Sequence, residues 1–387
     1  MTDAQVSDRG AARWVRGHPW IYRSDVLRGP EAPGVVAVHD TRERFLGRAL
    51  WSPASEIRLR LLEPRDLPVD RGWWVARLRE AAGRREGIDA TAFRLVHAEG
   101  DGLPSLVVDR YGRWLVAQFL SAGLESAREV VLDALEEACA PAGILLRNDV
   151  AVRHHEGLPL EVVPARGEVP REVEVREGPV RFVAAPWEGQ KTGAFLDQRE
   201  NRLLAASLVP PGGTALDCFA YHGSFALHLA ARAASVTALD TSGGALARGR
   251  EQAALNGLDN IEWVEADAFE QLRAWERARR TFDVVVVDPP AFAKHRAAVA
   301  GAMRGYHEVN LRAMRLLAPG GALLTASCSH HVGRARFLDL LAAAAADSGR
   351  RLRLERVLGQ PGDHPELLTV PETGYLKGAV LRAADPH

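Results

Sequence analysis

The chain has 387 residues, length for two or three domains at about 150 residues each and ample to bury a sizeable core. Apolar residues make 47% and charged residues 26%, the balance of an ordinary globular protein, which excludes disordered and low-complexity classes. Its 49 basic and 50 acidic residues leave a net charge of −1, which excludes a strongly basic, non-specific nucleic-acid binder but not an enzyme that meets RNA through a local patch. No apolar run approaches the ~18–20 residues of a membrane helix. The opening MTDAQVSDRGAARWVRGHPW lacks the apolar core of a secretory signal. Cys139, Cys218 and Cys328 are too few and too scattered for a disulfide framework or a paired metal site, which fits a reducing cytoplasm. Lysine occurs only at Lys191, Lys294 and Lys377, so 46 of the 49 basic residues are arginine. Genomic base composition explains the bias. A lysine kept in such a chain marks a place where head-group shape matters, which points to Lys191 and Lys294 and less to Lys377, in a late strand next to Gly378.

Residues 1–68 read as short strands and turns, with ERFLGRALWS and SEIRLRLLE as apolar runs between Gly and Pro breaks. Their eleven Arg against eight acidic residues over positions 1–65 suit a small β-rich module, or a lobe packed on the main domain. Residues 73–86 read as a helix. FRLVHAEG, LPSLVVDRYG and RWLVAQFL follow as three strands. ESAREVVLDALEEA is a helix with Ala127, Val130, Val131, Ala134, Leu135 and Ala138 on one face, closed by Cys139 as a core residue. GILLRND is a further strand, so 69–178 forms an α+β domain. Its tail PLEVVPARGEVPREVEVREG reads as a linker or an exposed hairpin.

From about 179 to 387 strands alternate with helices. TALD, SVTALD, IEWVEAD and FDVVVVD each end in an aspartate: Asp217, Asp240, Asp267 and Asp288. One helix starts near Thr241–Ser242 and stops at Asn256–Gly257. The final strands, RLRLERVL and YLKGAVLRA, have no helix between them and must be antiparallel. A parallel sheet closed by such a pair is the arrangement of class I methyltransferases, not of dinucleotide oxidoreductases.

Ligands of open α/β sheets bind beyond the carboxyl ends of the strands. Four carboxylates along that rim suit a ligand rich in hydroxyl and amino donors. The plainer account is that Asp caps helices and turns, which holds for any one of them better than for four in a row. ALDCFAYHGSFALHLA turns tightly into a helix with the single glycine Gly223. It lacks the G-x-G-x-x-G that lets a backbone approach a pyrophosphate, which argues against NAD and flavin. A sulfonium nucleoside needs no such approach. Asp240 is placed for both ribose hydroxyls and Asp267 for an adenine amine. VVVVDPPAFAKHR delivers Asp288 with two stiffening prolines, Pro289 and Pro290, then Phe292 to stack on a flat ring and Lys294. The alternative is a rigid turn with a core phenylalanine. TASCSHHV puts Cys328 beside Asp288 if their strands are neighbours. A strand-end cysteine is usually inert packing, but a thiolate here is the natural nucleophile for C6 of a pyrimidine, and His330 and His331 beside it could favour its ionisation. Adjacent residues rarely share one ion, so no metal is assigned. Cys218 is given a structural role. In EGQKTGAFLDQRENR, Lys191, Thr192, Gly193, Asp197, Gln198 and Arg199 form a ligand lip, or Asp197 caps the following helix.

GQKTGAFLDQR, LDCFAYHGSF, DPPAF, SCSHHV and the tail DHP…PETGYLKG resemble the family of S-adenosylmethionine-dependent 23S ribosomal RNA cytosine-5 methyltransferases over essentially the whole chain. GHPWIY is similar to the RNA-binding PUA domain that opens these proteins. The resemblance implies a PUA-like domain over 1–68, a central α+β domain over 69–178, and a class I methyltransferase domain over 179–387 with a Rossmann-like sheet and an antiparallel final strand. It implies S-adenosylmethionine as cofactor, held by Lys191, Thr192, Phe195, Asp197, Gln198, Arg199, Asp217, Phe219, Ala220, Tyr221, Gly223, Ser224, Phe225, Asp240, Asp267, Ala268 and Asp288. Cys328 and Asp288 are the implied catalytic pair, and Pro289, Pro290, Phe292 and Lys294 the substrate contacts. Ribosomal RNA is the expected partner, with no membrane, no metal and room for a homodimer. His222 stands where the family usually has threonine. Other RNA cytosine-5 methyltransferases carry a second cysteine where this chain has Ala291, which leaves the base for the C5 proton unassigned. Two rivals remain on sequence: an N-methyltransferase acting on an exocyclic amine, which needs no cysteine, and a non-catalytic RNA-binding protein.

Overall fold

The short apolar runs at the start pair into a six-stranded sheet. A computed structural model describes residues 3–292 and 299–384. In it Trp20–Tyr22, Ile57–Glu63, Phe45–Trp51, Gly34–His39, Asp3–Val6 and Val26–Arg28 lie side by side in that order. Ala4, Val6, Ile21, Val38, Ala49, Trp51 and Leu59 fill its core. The sequence reading has no helix here. Ser7 accepts a hydrogen bond from the Gly10 amide and caps a two-turn helix, Asp8–Val15, too short to display a helical period.

A five-stranded sheet follows, in the order Val162–Gly167, Gly143–Arg147, Trp114–Phe119, Leu106–Tyr111 and Ala92–His97. The helices Arg71–Gly83 and Arg128–Cys139 pack together and contribute to its core. Two expectations need correction. Val130 is 40% exposed and Leu132 is buried, because the helix face turned inward is Val131, Leu132, Ala134 and Leu135. For the stretch 159–178, read as a linker or an exposed hairpin, the hairpin reading holds for its end and the linker reading does not. Val162–Gly167 pairs antiparallel with Gly143–Arg147, and Val173–Glu177 pairs with Val180–Ala184 in a separate hairpin.

The remaining strands form one seven-stranded sheet: Ile261–Glu265, Ser235–Asp240, Thr214–Cys218, Phe282–Val287, Leu317–Ser327, Lys377–Ala383 and Leu352–Leu358. The first five are parallel, and Lys377–Ala383 runs antiparallel between its two neighbours. Alternate residues of the Phe282–Val287 strand feed two apolar layers, Val285 and Val287 on one face, Val284 and Val286 on the other. A strand buried on both faces explains the unbroken run FDVVVV. The strand order reverses between Thr214–Cys218 and Phe282–Val287, so a ligand crevice is expected at their carboxyl ends.

The chain divides into two compact units. One holds the residues up to Val175 with Ala184–Leu196 and Gly362–Gly374; the other holds Arg176–Val183, Asp197–Pro361 and the chain from Tyr375 onward. Among the described residues no helix is long and apolar enough to cross a membrane.

Candidate functional site

The Thr214–Cys218 strand ends in a loop whose backbone is forced. Phe219 and Tyr221 adopt φ of 66° and 49°, a left-handed conformation that side chains disfavour, and Gly223 has φ of 76°. Hydrogen bonds hold this shape. The Ala220 amide donates to the Leu239 carbonyl at 3.0 Å, and the Gly223 amide to the Ala220 carbonyl at 2.7 Å. The Asp240 carboxylate takes the Tyr221 amide on Oδ2 and the Ser242 amide on Oδ1, each at 2.9 Å. Asp217 is fully buried and accepts from the Ala226 amide at 2.9 Å. Ser224 and Phe225 open the helix Ser224–Ala230 that follows.

Three carboxylates thus crowd the crevice. Burial pushes the Asp217 carboxyl well above the usual carboxylate range, and the charges of Asp288 and Asp240 push it further. Such mutual repulsion is relieved by a cation with hydroxyl and amino donors. The residues present therefore fit a sulfonium nucleoside and do not fit a phosphate. Beside them the Tyr221 and His222 rings stack at 3.7 Å, and burial with the charge of Arg248 lowers His222 to about 4.

Asp267 serves as the helix cap weighed for it: its Oδ1 accepts from the Glu270 amide at 3.0 Å at the start of Ala268–Arg277, where Ala268 is buried. The exposed side chain keeps further lone pairs for a ligand. Asp288 follows the Phe282–Val287 strand directly and is half-buried, with Pro289 buried and Pro290 exposed. The Phe292 ring lies 4.7 Å from Tyr306, 6.1 Å from Phe269 and 6.2 Å from Phe219, the core-phenylalanine arrangement. Lys294 lies outside the described residues.

The segment 191–199 is shared between the two units. In the first, Thr192 donates to Asp109 Oδ2 at 2.5 Å and sits 2.9 Å from the Tyr111 hydroxyl, while the Lys191 ammonium rests 5.0 Å from the Phe195 ring centre. In the second, Asp197 Oδ2 accepts from the Tyr375 hydroxyl at 2.7 Å. Gln198, not Asp197, is the N-cap of the helix Arg199–Ser207, and its Oε1 accepts from Asn201 at 2.6 Å. Arg199 is buried and lies 3.4 Å from Glu200.

The three cysteines differ in setting. Burial raises the Cys139 thiol and, with Asp217 beside it, raises the Cys218 thiol strongly. Cys328 is half-buried, one residue beyond the Leu317–Ser327 strand, which pairs in parallel with the strand that delivers Asp288. Burial and the charge of Lys377 lower His330, so it is neutral near pH 7 and supplies no cation to the thiol. Two neighbours escaped sequence reasoning. The buried Tyr306 hydroxyl bonds Ser329 Oγ at 2.9 Å, and the buried Lys377 ammonium donates to the Ser329 carbonyl. Lys377 had a signal, its survival in a lysine-poor chain. Among the described residues no His, Cys, Asp or Glu cluster could hold a metal ion.

Residues 109–381 match the S-adenosylmethionine-dependent methyltransferase family, and residues 4–64 the PUA-like domain family. The chain is 42% identical to ribosomal RNA large subunit methyltransferase I of Shewanella amazonensis, over 95% of this chain and 96% of that protein. It is 40% identical to the protein of the same name from Aeromonas hydrophila, with the same coverage. A solved methyltransferase-fold protein from Streptococcus mutans superposes with a TM-score of 0.81 at 19% identity, over 99% of this chain and 100% of that one. Another, complexed with S-adenosylhomocysteine, reaches 0.83 at 20% identity with the same coverage. With its doubly covered sheet, its antiparallel interior strand and its acidic crevice, the chain belongs to the S-adenosylmethionine-dependent ribosomal RNA large subunit methyltransferase family with an N-terminal PUA-like domain.

Proposed function

We propose that this protein methylates C5 of a cytosine in large-subunit ribosomal RNA, in the cytoplasm, by way of a covalent bond between Cys328 and C6 of the base. The observation that supports this most is the pairing of adjacent strands: Val287 lies opposite Thr325, so the chain exits towards Asp288 and Cys328 from neighbouring positions on one rim. The other two thiols are held in the neutral form by burial.

The chemistry follows from the base. C5 of cytosine is a poor nucleophile until C6 gains an electron-rich substituent. The Cys328 thiolate attacks C6, while Asp288, carrying a proton, donates to N3 and accepts from the exocyclic amine, and so steadies the negative charge that develops on the ring. S-adenosylmethionine supplies the methyl group for C5. Asp240 is assigned to its ribose hydroxyls, Asp267 to its adenine amine, and the Asp217–Phe225 loop to its remainder. Loss of the C5 proton then lets the cysteine leave. Attack from the ring face requires an unpaired or flipped-out base. The PUA-like domain over 1–68 is assigned to RNA binding, and 69–178 and 179–387 to the central and methyltransferase domains.

The test uses RNA carrying 5-fluorocytosine, whose C5 substituent cannot depart as a proton, so the adduct persists. Enzyme, fluorinated RNA and S-adenosylmethionine are run on a denaturing gel. A slow-migrating complex with wild type and none with Cys328→Ala is expected. A complex that survives that substitution sinks the assignment of the nucleophile.

A further inference from the structure

A buried ammonium ion needs an anion or several strong acceptors to offset the loss of water. Lys377 is 5% exposed and sits at the start of an interior strand, paired directly across from Ser327. Its nitrogen donates to two backbone carbonyls, that of Ser329 and, at 2.9 Å, that of Tyr375. An ammonium carries three N–H donors, so one remains. No described carboxylate lies within ion-pair distance of it. The nitrogen is therefore anchored to the residue after Cys328 while its strand pairs with the residue before, with one donor and a full charge unspent.

We infer that Lys377 is the counter-charge of Cys328: together they form a thiolate–ammonium pair that arms the nucleophile before RNA binds. This rests on the assignment of Cys328 as nucleophile. Lys377 is already the ammonium, so formation of the pair releases the thiol proton to solvent: Cys328–SH gives Cys328–S⁻ and H⁺, with Lys377–NH3⁺ unchanged beside it. When sulfur bonds to C6 its lone pair becomes the S–C bond. When that bond breaks the pair re-forms. Lys377 touches neither substrate nor cofactor in this scheme; it is a positioning residue.

The titration behaviour agrees. Burial lowers Lys377 to about 8, and the group that opposes this is Cys328. The other ionisable groups around the pair do not replace it. Tyr306, from the helix Val299–Arg315, is raised by burial and stays a neutral phenol. His330 is lowered by burial and by Lys377 itself. His331 lies on the same loop, and Asp288, a carboxyl just beyond the neighbouring strand, has no cation to offer a thiolate.

The experiment reads the thiol directly, in full-length protein without RNA. Alkylation of Cys328 by iodoacetamide is followed from pH 5.5 to 9.5, with the modified peptide quantified by mass spectrometry. The wild-type midpoint should fall at least one unit below the roughly 8.5 of an ordinary thiol. Lys377→Met should raise it by a unit or more, slowing alkylation at pH 7 roughly tenfold, since each unit changes the thiolate fraction about tenfold. Lys377→Arg keeps the charge and should restore much of the wild-type midpoint. Binding of S-adenosylhomocysteine by calorimetry checks that each variant is folded. A wild-type midpoint at or above about 8.5 overturns the pair whatever the variants do, and so does an unchanged midpoint in folded Lys377→Met. A fluorocytosine adduct that persists in Cys328→Ala removes the nucleophile assignment instead, and leaves the thiol titration to decide the pair by itself.

Discussion

Trp263 lies so close over Gly223 that a β-carbon on the glycine would come within 2.5 Å of the indole ring. The same ring approaches Gly249 of the next helix, where a β-carbon would meet it at 2.4 Å. One tryptophan on an outer strand thus shapes the loop that follows the Thr214–Cys218 strand. Gly223→Ala and Gly249→Ala should each lower stability by about 1–3 kcal/mol, seen as a drop in thermal midpoint. Adding Trp263→Leu should rescue Gly249→Ala more fully, because Gly223 also has φ of 76°, where any side chain is strained. Equal rescue of both would contradict this account.

Asp217 makes stability depend on pH. Its folded carboxyl keeps its proton to higher pH than the unfolded one, whose value is near 3.8. The folded state then binds more protons, so this group lowers stability progressively as pH rises above 3.8, and has no effect below it. Asp217→Asn keeps an acceptor for the Ala226 amide and removes the charge. Its thermal midpoint should gain on wild type between pH 5 and 8, while its affinity for S-adenosylmethionine falls. A constant difference across that range would mean that the carboxyl is not held neutral.

Asp240 braces a loop and is proposed to hold the cofactor's ribose, and its replacement should test both. Asp240→Ala removes a ligand acceptor, and with charge-assisted bonds near 1.5–3 kcal/mol each, affinity for S-adenosylmethionine should fall at least tenfold. It also strands the Tyr221 and Ser242 amides, so about 1–2 kcal/mol of stability should go with it. Calorimetry and thermal denaturation on one preparation separate the two losses. Unchanged affinity with lowered stability would leave Asp240 as a loop brace alone.

Glu177 and Arg202 form a buried bidentate pair, at 2.7 and 2.6 Å, with His228 3.3 Å from the same carboxylate. Burial opposes the Glu177 charge, but Arg202 holds the carboxyl below the usual range. Glu177→Ala removes the bidentate carboxylate from the buried Arg202 guanidinium and should cost about 3–5 kcal/mol. Glu355→Ala, which breaks a solvent-exposed pair with Arg382, should cost under about 1 kcal/mol. Denaturant titration of the two variants should separate them clearly.

What the sequence made legible is what depends on neighbours in the chain. Ser242 caps its helix and Asn256 ends it, as residue type alone indicates. The strand-end aspartates could be located, but their duties could not, since a cap and a ligand contact draw on the same carboxylate. Asp267 shows this: the chemistry that suits an amine also suits the Glu270 amide. Val130 and Leu132 were exchanged because a helical face 100° wide has ambiguous margins. Segment 159–178 read equally as a linker or a hairpin, because an edge strand needs little apolar sequence. Lys377 was passed over because 48 residues separate it from Cys328 and only antiparallel pairing brings its strand back to Ser327.

The strand Lys377–Ala383 occupies an interior place in the sheet although it comes after both of its neighbours in the chain. On a ribosome the polypeptide emerges in order, so Leu317–Ser327 and Leu352–Leu358 must wait for it with unpaired backbone between them. Cys328 leaves the tunnel well before the lysine that would charge its sulfur. On the proposed pairing the thiol stays an ordinary one throughout synthesis and gains its counter-charge only when the strand Lys377–Ala383 slots home. The pair would thereby tie the reactivity of Cys328 to the seating of a strand made 49 positions later in the chain.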